Sequence, residues 1–569
     1  MVFPYHHQIG TKTTMTGEIA CGSSPLKHGL RVRCSGGLEE KRHMTHHQLN
    51  RRNFLKTSTA ATGALALDHL PDVRVLAQTP APFSASPGEQ VPPADPRYQT
   101  LIHGFNLRWE GQPAYVAVCG TTDQIVQAVQ QAVDDHRRVT VRSGGHCYED
   151  FVSNNNGGVI IDVSPMSLVW RDAATGWFGI EAGATIWDAY RRLYTDHGVT
   201  LPAGSCYSVG IGGHVTGGGY GLLSRLHGLT VDFLHAVEVV HVTAEGKAEL
   251  ITVSRDSTDP AEQDLLWGHL GGGGGNFGIV TKFYFRDLPL APEEVQLVTH
   301  AWDWATLDRP AFGSLIANFG RFLEEHSDVD SPYKGLFSLL HLSQKAAGQV
   351  SLTTQYTGPD TSLIVDFLRF MGNGLSQPVT KSTGSGHQIP AVNTTDIQTM
   401  PWLFATQTLN GSGRNQRGKY KSAYMLTAFP ENQIEAMWQN LTAPAHPNPH
   451  ALLQIDSYGC QINAVDPAAT AIPQRSSIMK LQYQTYWTDP ADDEVNLEWI
   501  RAFYLAMYGE RGPVPDTVVD GCYVNYPDVD LDDWQHLYYK ENYARLQTVK
   551  SRCDPLDIFN HRQSIEPRA

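Results

Sequence analysis

Apolar residues recur at helical spacing between residues 121 and 136, which predicts an amphipathic helix. Short apolar runs at 138–142 and 159–163 predict two strands after it, separated by Gly-rich turns. Two further strands are expected at 232–242 and 278–285. Strands and helices therefore alternate through this part of the chain.

The hydrophobic pattern changes after about residue 290. Longer amphipathic helices and alternating strands predominate there, such as the strand expected at 477–487. The last fifty residues return to aromatic-rich loops with one predicted helix at 534–552. These changes predict four segments: a leader at 1–77, a first domain at 78–289, a second domain at 290–514, and a C-terminal segment at 515–569.

Composition narrows the classes of function. The chain has 569 residues, of which 41% are hydrophobic, so a sizeable core is expected and a disordered chain or a small disulfide scaffold is excluded. A net charge of -15 argues against a general affinity for nucleic acid or anionic lipid, because both need a basic surface. The eight Cys leave disulfides, metal ligation and free thiols open.

The leader contains the sequence RRNFLK at 51–56, followed by a weakly apolar run at 57–67 that is too short to span a bilayer. This pattern resembles a twin-arginine export signal, and Ala77 offers a small-residue cleavage site before Gln78. We expect translation to begin at Met44, which gives the signal a short amino-terminal region. The export machinery is thus an expected partner, and the destination is secreted or periplasmic. No other stretch predicts a membrane span.

Three glycine-rich segments stand out. The first, RSGGH at 142–146, follows a predicted strand and offers consecutive backbone N–H groups suited to a pyrophosphate. The second lies at 202–221 and the third at 267–280. Their density of glycine leaves the backbone free to approach a large, flat ligand.

Together with YVNYPD at 523–528 and FNHRQSI at 559–565, these segments resemble the FAD-linked oxidases of the vanillyl-alcohol oxidase superfamily, and within it the berberine-bridge-enzyme-like group. The resemblance covers most of 104–285 and 520–565, and only patches between them. It implies an α+β fold with a two-part FAD-binding domain of the vanillyl-alcohol oxidase (PCMH) type, formed by 78–289 and completed by 515–569. The resemblance also implies that 290–514 is an α/β substrate domain with an antiparallel sheet.

The resemblance implies FAD attached at two points, with His146 bonded to the 8α-methyl group and Cys206 to ring carbon C6. The alternatives are a turn histidine on a phosphate and a buried inert thiol. His214 matches a histidine that contacts the flavin ring, and the small Val209 leaves room for O2, which favours an oxidase over a dehydrogenase. The resemblance assigns the remaining cofactor contacts to Arg142, Ser143, Gly144, Gly145, Gly212, Gly213, Gly218, Gly219, Gly274, Asn276, Ile279 and Asn560.

Tyr526 occupies the position where many relatives have a catalytic tyrosine. A phenol has an ordinary pKa of about 10, so as a base it needs neighbouring positive charge, for which Lys480 is a candidate. Tyr458 matches a tyrosine that faces the same cleft in bacterial relatives, and it is a candidate substrate contact. The alternative for both tyrosines is packing.

Three functions compete. The first is oxidation of a hydroxyl, hemiacetal or glycoside carbon, with hydride transfer to flavin N5 and O2 as the acceptor, giving H2O2. The second is oxidative cyclisation or desaturation of an alkaloid or polyketide, or a dehydrogenase with another acceptor. The third is a flavin carrier or ligand-binding protein without turnover. The partner is in each case a small molecule such as a sugar, a glycoside or a secondary metabolite. No zinc-ligand spacing is present, so no metal is expected.

Overall fold

The computed structural model describes residues 88–382 and 394–568, and the predicted leader with Met44 lies outside them. The strands of the described residues are β1 Glu89–Val91, β2 Tyr115–Val118, β3 Val139–Arg142, β4 Val159–Asp162, β5 Val169–Arg171, β6 Phe178–Glu181, β7 Leu234–Val242, β8 Ala248–Ser254, β9 Ile279–Phe285, β10 Glu294–Asp303, β11 Leu336–Ser343, β12 Gln349–Tyr356, β13 Gln398–Pro401, β14 Arg417–Met425, β15 Leu452–Ser457 and β16 Met479–Trp487.

The α-helices of the same residues are α1 Tyr98–Ile102, α2 Thr122–Asp134, α3 Ile186–His197, α4 Ile211–Thr216, α5 Ser224–His227, α6 Pro260–Gly268, α7 Arg309–Glu325, α8 Ser362–Met371, α9 Trp402–Thr408, α10 Glu431–Thr442, α11 Asp493–Tyr508, α12 Trp534–Tyr539 and α13 Tyr543–Cys553. The mixture of helices and strands confirms the predicted α+β class.

A four-stranded sheet, in the order β1-β2-β4-β3, begins the fold. Strands β2 and β3 both pair with β4 in parallel, while β1 pairs with β2 in antiparallel orientation. Helix α2 begins after Thr121, whose side chain accepts a hydrogen bond from Gln124 N. It buries Ile125 and Val129 at helical spacing. The helix and the two strands predicted in this region are thus confirmed.

The second sheet is antiparallel and five-stranded, in the order β5-β6-β9-β7-β8. Strands β7 and β9 confirm the two later strands that the sequence predicts. Strand β7 lies between β9 and β8, and most of its residues are buried. Strand β9 is central and begins at the end of the third glycine-rich segment, so the sheet fixes that end of the segment.

The third sheet is antiparallel and seven-stranded, in the order β13-β10-β12-β11-β15-β16-β14. All nine residues of β16 are buried, because both faces of the sheet are covered at this strand. The ring of Tyr483 packs on α11, with its centroid 5.1 Å from that of the Phe503 ring. Since side chains alternate along a strand, Lys480 and Gln482 lie on the opposite face. That face carries the polar groups described below.

The C-terminal helix differs from its prediction. The pattern at 534–552 predicts one helix, but the chain forms α12 and α13 with a short 3₁₀ turn, Lys540–Asn542, between them. Lys540 has φ of +47°, which interrupts the helical hydrogen-bond ladder. Its ammonium group forms an ion pair with the buried carboxylate of Asp520, which holds the chain at the break.

The three sheets occupy successive parts of the chain. Strands β1–β9 precede residue 289, and β10–β16 form the third sheet between Glu294 and Trp487. The described residues nevertheless belong to one compact unit, Pro80–Ala569. The division into separate FAD-binding and substrate domains therefore stays a prediction.

Candidate active site

A cavity of about 320 Å³ lies where the glycine-rich segments meet β11, β15, β16 and the C-terminal loops. Its volume is within the range of about 300–1,000 Å³ that small-molecule sites occupy. Most residues that the sequence assigns to the site line this cavity, namely Arg142, Ser143, Gly144, Gly145, His146, Cys206, Val209, Gly212, Gly213, His214, Gly274, Asn276, Tyr526 and Asn560.

The glycines of the first two segments fit a flat ligand. A Cβ at Gly144 would collide with the backbone nitrogen of Gly210, so these two loops touch through their backbones. Gly145 has φ of +72°, which glycine adopts without strain. A Cβ at Gly213 would meet no atom within 4 Å, so the space next to it is open. The cradle that these glycines form is suited to a ring system such as that of FAD.

His146 lies at the turn after β3. Its Nε2 atom is 2.9 Å from Ser208 Oγ, and its ring stacks on Phe105 with the centroids 5.0 Å apart. Burial lowers the pKa of His146 to about 4. The imidazole is therefore neutral at neutral pH, which is the form that acts as a nucleophile.

Cys206 lines the same cavity in the loop before α4. Burial raises the pKa of its thiol to about 12, so the sulfur is protonated at neutral pH. Val209 follows it in the wall, and its N–H donates to Cys206 O over 3.2 Å. A covalent bond through this sulfur would therefore require loss of the thiol proton.

His214 belongs to α4 and faces the cavity. Its Nε2 accepts a hydrogen bond from Gly204 N at 3.4 Å, and its carbonyl oxygen accepts one from Asn525 Nδ2 at 3.0 Å. Burial, with a smaller contribution from the positive charge of Lys480, lowers the pKa of His214 to about 4. The histidine is thus neutral and connects the second glycine-rich segment to the C-terminal loop.

Tyr526, Lys480 and Asp456 form a connected group. Lys480 Nζ donates to Tyr526 Oη at 2.9 Å and pairs with Asp456 Oδ2 at 2.5 Å. Lys480 and Asp456 lie directly opposite each other in the β15–β16 register. The ammonium nitrogen is also 4.3 Å from the centroid of the Tyr526 ring. The sequence-based pairing of Lys480 with Tyr526 is therefore present in the structure.

The pKa of Tyr526 is not lowered in the way that the positive charge of Lys480 alone would lower it. Burial, and then the negative charge of Asp456, raise the pKa of Tyr526 well above its ordinary value. Asp456 offsets the positive charge of Lys480 because the two groups form an ion pair. The phenol is consequently protonated at neutral pH, and forming the phenolate requires a group that takes its proton.

Sequence reasoning assigned no role to several polar residues of the cavity wall. Gln454 and Asp456 of β15 and Gln482 of β16 line the cavity, and so does Tyr148. Gln482 Nε2 donates to Tyr148 Oη at 3.1 Å, and Gln454 Nε2 donates to Asp456 Oδ1 at 2.7 Å. The alternation of β16 could have placed Gln482 beside Lys480, but the pairing with β15 depends on a register that sequence does not reveal.

Four predicted site residues lie outside the cavity wall. Tyr458 is fully buried, donates from Oη to Gln474 O at 3.0 Å, and packs behind Tyr220 with the ring centroids 5.4 Å apart. Tyr458 therefore does not line the cavity, and its substrate contact stays a prediction. Gly218 and Gly219 face Ile472 and Thr230 instead, and Ile279 is buried at the start of β9.

A buried cluster of charges ties two functional segments to β14. Lys419 Nζ lies 2.5 Å from Glu149 Oε1 and 2.6 Å from Asp528 Oδ1, and Lys421 Nζ lies 2.7 Å from Asp528 Oδ2. Glu149 follows the His146 turn, and Asp528 follows Tyr526. The side chains of Lys419, Glu149 and Asp528 are at most 1% exposed. Lys419 therefore supplies positive charge for two carboxylates that water does not reach.

Neither a metal centre nor a membrane span is found in the described ranges. Within residues 88–382 and 394–568, no three His, Cys, Asp or Glu side chains converge in a way that could hold a metal ion. No helix within these ranges has the length and apolar character needed to cross a bilayer.

Comparison with known proteins identifies related proteins over most of the chain. A family profile described as "FAD binding domain" matches residues 113–250, and one described as "Berberine and berberine like" matches 522–566. A third, for the twin-arginine translocation signal, matches 48–67. The chain therefore carries the predicted signal and is exported, with a secreted or periplasmic destination.

Similar proteins include aclacinomycin-N/aclacinomycin-A oxidase of Streptomyces galilaeus, 40% identical over 92% of this chain and 99% of that protein. Hexose oxidase of Chondrus crispus is 38% identical over 84% of this chain and 94% of that protein. The crystal structure of a glycopeptide hexose oxidase complexed with teicoplanin is 38% identical and covers 84% of this chain and 99% of its own, with a TM-score of 0.78. The chain belongs to the berberine-bridge-enzyme-like family of FAD-linked oxidases, and it is an oxidoreductase.

Proposed function

We propose that this protein holds FAD by two covalent bonds, through His146 and Cys206, and oxidises a hydroxyl, hemiacetal or glycoside carbon with O2 as the acceptor. The observation that carries the proposal is the 2.9 Å hydrogen bond from Lys480 to Tyr526 in the same cavity as His146 and Cys206. Relatives named as oxidases of a hexose and of aclacinomycin support a small, hydroxyl-bearing substrate.

The residues of the cavity fit the cofactor. His146 would hold the flavin at its 8α-methyl group, Cys206 would hold it at C6, and the backbone at Gly144 and Gly145 would face the pyrophosphate. When bound, FAD would supply a hydride acceptor at N5 and two-electron chemistry with O2, with H2O2 as the product. Val209 supports O2 as the acceptor, because its small side chain lines the cavity.

The proton of the substrate hydroxyl passes to Tyr526. Lys480 Nζ contacts both Tyr526 Oη and Asp456 Oδ2, so as the substrate proton arrives on Tyr526 Oη it can take the phenol proton and donate one of its own to Asp456. Tyr526 ends as a neutral phenol, Lys480 as an ammonium group and Asp456 as a neutral acid. These transfers accompany the loss of hydride from the carbinol carbon, which leaves a carbonyl product.

The Asp456→Asn variant tests this proton path. An amide cannot take the proton, so the rate of flavin reduction at pH 7 should fall about tenfold or more. Removing the negative charge also lowers the pKa of Tyr526 relative to the wild-type protein, because Asp456 raises it. The phenol must then ionise to solvent, and the reduction rate of the variant should rise by up to about tenfold per pH unit. Anaerobic stopped-flow absorbance at several pH values measures both effects.

A wild-type rate at pH 7, or a loss that is equal at every pH, would contradict the proton path. The Gln454→Leu variant is a matched control, because it removes the 2.7 Å hydrogen bond to Asp456 and keeps the carboxylate. Its reduction rate should keep the pH dependence of the wild-type protein.

The polar wall opposite the glycines supports a hydroxyl-bearing substrate. Gln454, Gln482 and Asp456 line the cavity beside the rings of Tyr148 and Tyr220. Amide and carboxylate groups bind hydroxyl groups by hydrogen bonds, while flat rings pack against the apolar face of a sugar or of a glycosylated metabolite. This arrangement favours a sugar or a glycoside within the proposed class.

Acid denaturation tests the two covalent bonds. Wild-type flavin should stay with the precipitated protein, and the Cys206→Ala variant should also retain it through His146, with a shifted absorption spectrum because the sulfur substituent is lost. The double variant His146→Ala, Cys206→Ala should release all flavin. Cys147→Ala is the matched control, since this thiol also lines the cavity. Release of all flavin from the wild-type protein would overturn the covalent attachment.

A further inference from the structure

His146 begins a chain of hydrogen bonds that leads away from the cavity. Its Nε2 atom is 2.9 Å from Ser208 Oγ, and Ser208 Oγ donates to Ser412 Oγ at 3.0 Å. Ser208 is exposed to solvent and is not part of the cavity wall. The chain therefore connects the imidazole to the protein surface.

A loop after α9 fixes the position of Ser208. Ser412 Oγ accepts a hydrogen bond from Ser208 N at 3.0 Å, in addition to the one from the Ser208 hydroxyl. Asn410 Oδ1 accepts from both Ser412 N and Tyr207 N, each at 3.0 Å. The serine hydroxyl is thus held in place by bonds that join two distant parts of the sequence.

The direction of these bonds sets the tautomer of His146. The Ser208 hydroxyl donates its proton to Ser412, so its lone pair faces His146 and accepts from Nε2–H. A neutral imidazole with its proton on Nε2 carries its lone pair on Nδ1. Burial keeps the ring neutral, since the pKa of His146 is about 4. Nδ1 is consequently the nucleophilic atom.

We propose that Ser208 is a positioning residue for covalent attachment of the flavin, which directs Nδ1 of His146 to the 8α carbon and receives the Nε2 proton. The proposal rests on the covalent FAD of the proposed function. Attachment breaks one C–H bond of the 8α-methyl group and the N–H bond of His146, and it forms one C–N bond. The two protons and two electrons released reduce one O2 to H2O2. The Nε2 proton passes through Ser208 to solvent, and the reduction of O2 takes up an equal number of protons from solvent, so the protons balance.

The test uses Cys206→Ala as the parent, because flavin that survives acid then reports the His146 bond alone. Total flavin per chain is measured before acid, and the covalent fraction is measured after acid precipitation and by intact mass. Adding Ser208→Ala should leave total flavin unchanged and make the covalent fraction at least about tenfold smaller. Adding Ser208→Thr to the parent instead should leave the covalent fraction close to that of the parent, since threonine keeps the hydroxyl.

Tyr207→Phe is the matched control in the same parent. It removes the hydroxyl of the adjacent residue, which is engaged with Thr406 Oγ1 at 2.7 Å. The covalent fraction should equal that of the parent. An unchanged covalent fraction in Ser208→Ala, or a parallel loss of total flavin, would overturn the role of Ser208. Release of all flavin by the Cys206→Ala parent would instead overturn the His146 bond, and with it both proposals.

Discussion

Replacing Tyr526 with Phe is expected to slow reduction of the flavin by substrate about 10²–10⁴-fold, because the variant has no group that accepts the hydroxyl proton. Phenylalanine keeps the ring that packs against Tyr523, whose centroid is 5.0 Å away, and against Lys480. Substrate affinity should therefore change much less than the rate. Anaerobic stopped-flow absorbance separates the two, since it gives the limiting reduction rate and the apparent dissociation constant.

Tyr458→Phe is the control for the loss of a phenol hydroxyl. Tyr458 is fully buried and donates to the carbonyl oxygen of Gln474, so it lies outside the cavity wall. Its variant should be reduced at close to the wild-type rate. A Tyr526→Phe variant that is reduced at the wild-type rate would remove the base from the proposed mechanism, and a slow Tyr458→Phe variant would contradict its placement behind Tyr220.

Replacing Lys419 with Met is expected to have the largest effect on stability, a loss of about 3–5 kcal/mol in the free energy of unfolding. The variant keeps the volume of the side chain but leaves Glu149 and Asp528 without the ammonium group that both contact. Both carboxylates are buried, so water cannot replace the lost partner. Urea unfolding followed by tryptophan fluorescence measures the change.

Lys247→Met is the matched control for the loss of a lysine charge. Lys247 pairs with Glu249 at 2.6 Å, but the two side chains are 69% and 41% exposed. Solvent screens such a pair, so its loss should leave the unfolding free energy nearly unchanged. Equal effects of the two substitutions would show that the buried cluster does not hold the His146 and Tyr526 segments on β14.

Much of the site could be predicted because its backbone needs particular residues. Gly144 has no room for a side chain against Gly210, and such constraints leave recognisable glycine patterns in the sequence. The same glycine patterns mark the two segments that contain His146 and Cys206. Lys480 lies on a strand that the sequence predicts, and its hydrogen bond to Tyr526 is present in the structure.

The parts that sequence did not reveal depend on register and on contacts between distant segments. The charge of Asp456 reaches Tyr526 only because β15 and β16 pair with Asp456 opposite Lys480. No local sequence pattern indicates the register in which β15 pairs with β16. Tyr458 is the residue after β15, and its burial behind Tyr220 depends on packing between distant parts of the sequence. The break at Lys540 depends on an ion pair with Asp520, which is likewise a tertiary contact.

Anaerobic mixing with a panel of sugars, glycosides and glycosylated metabolites, followed by admission of O2, tests the central claim most directly. We expect at least one compound to bleach the flavin absorbance, and O2 to restore it with release of one H2O2 per carbonyl formed. Bleaching without H2O2 on reoxidation would contradict O2 as the acceptor. Flavin that no hydroxyl-bearing compound of the panel bleaches would contradict the proposed oxidation itself.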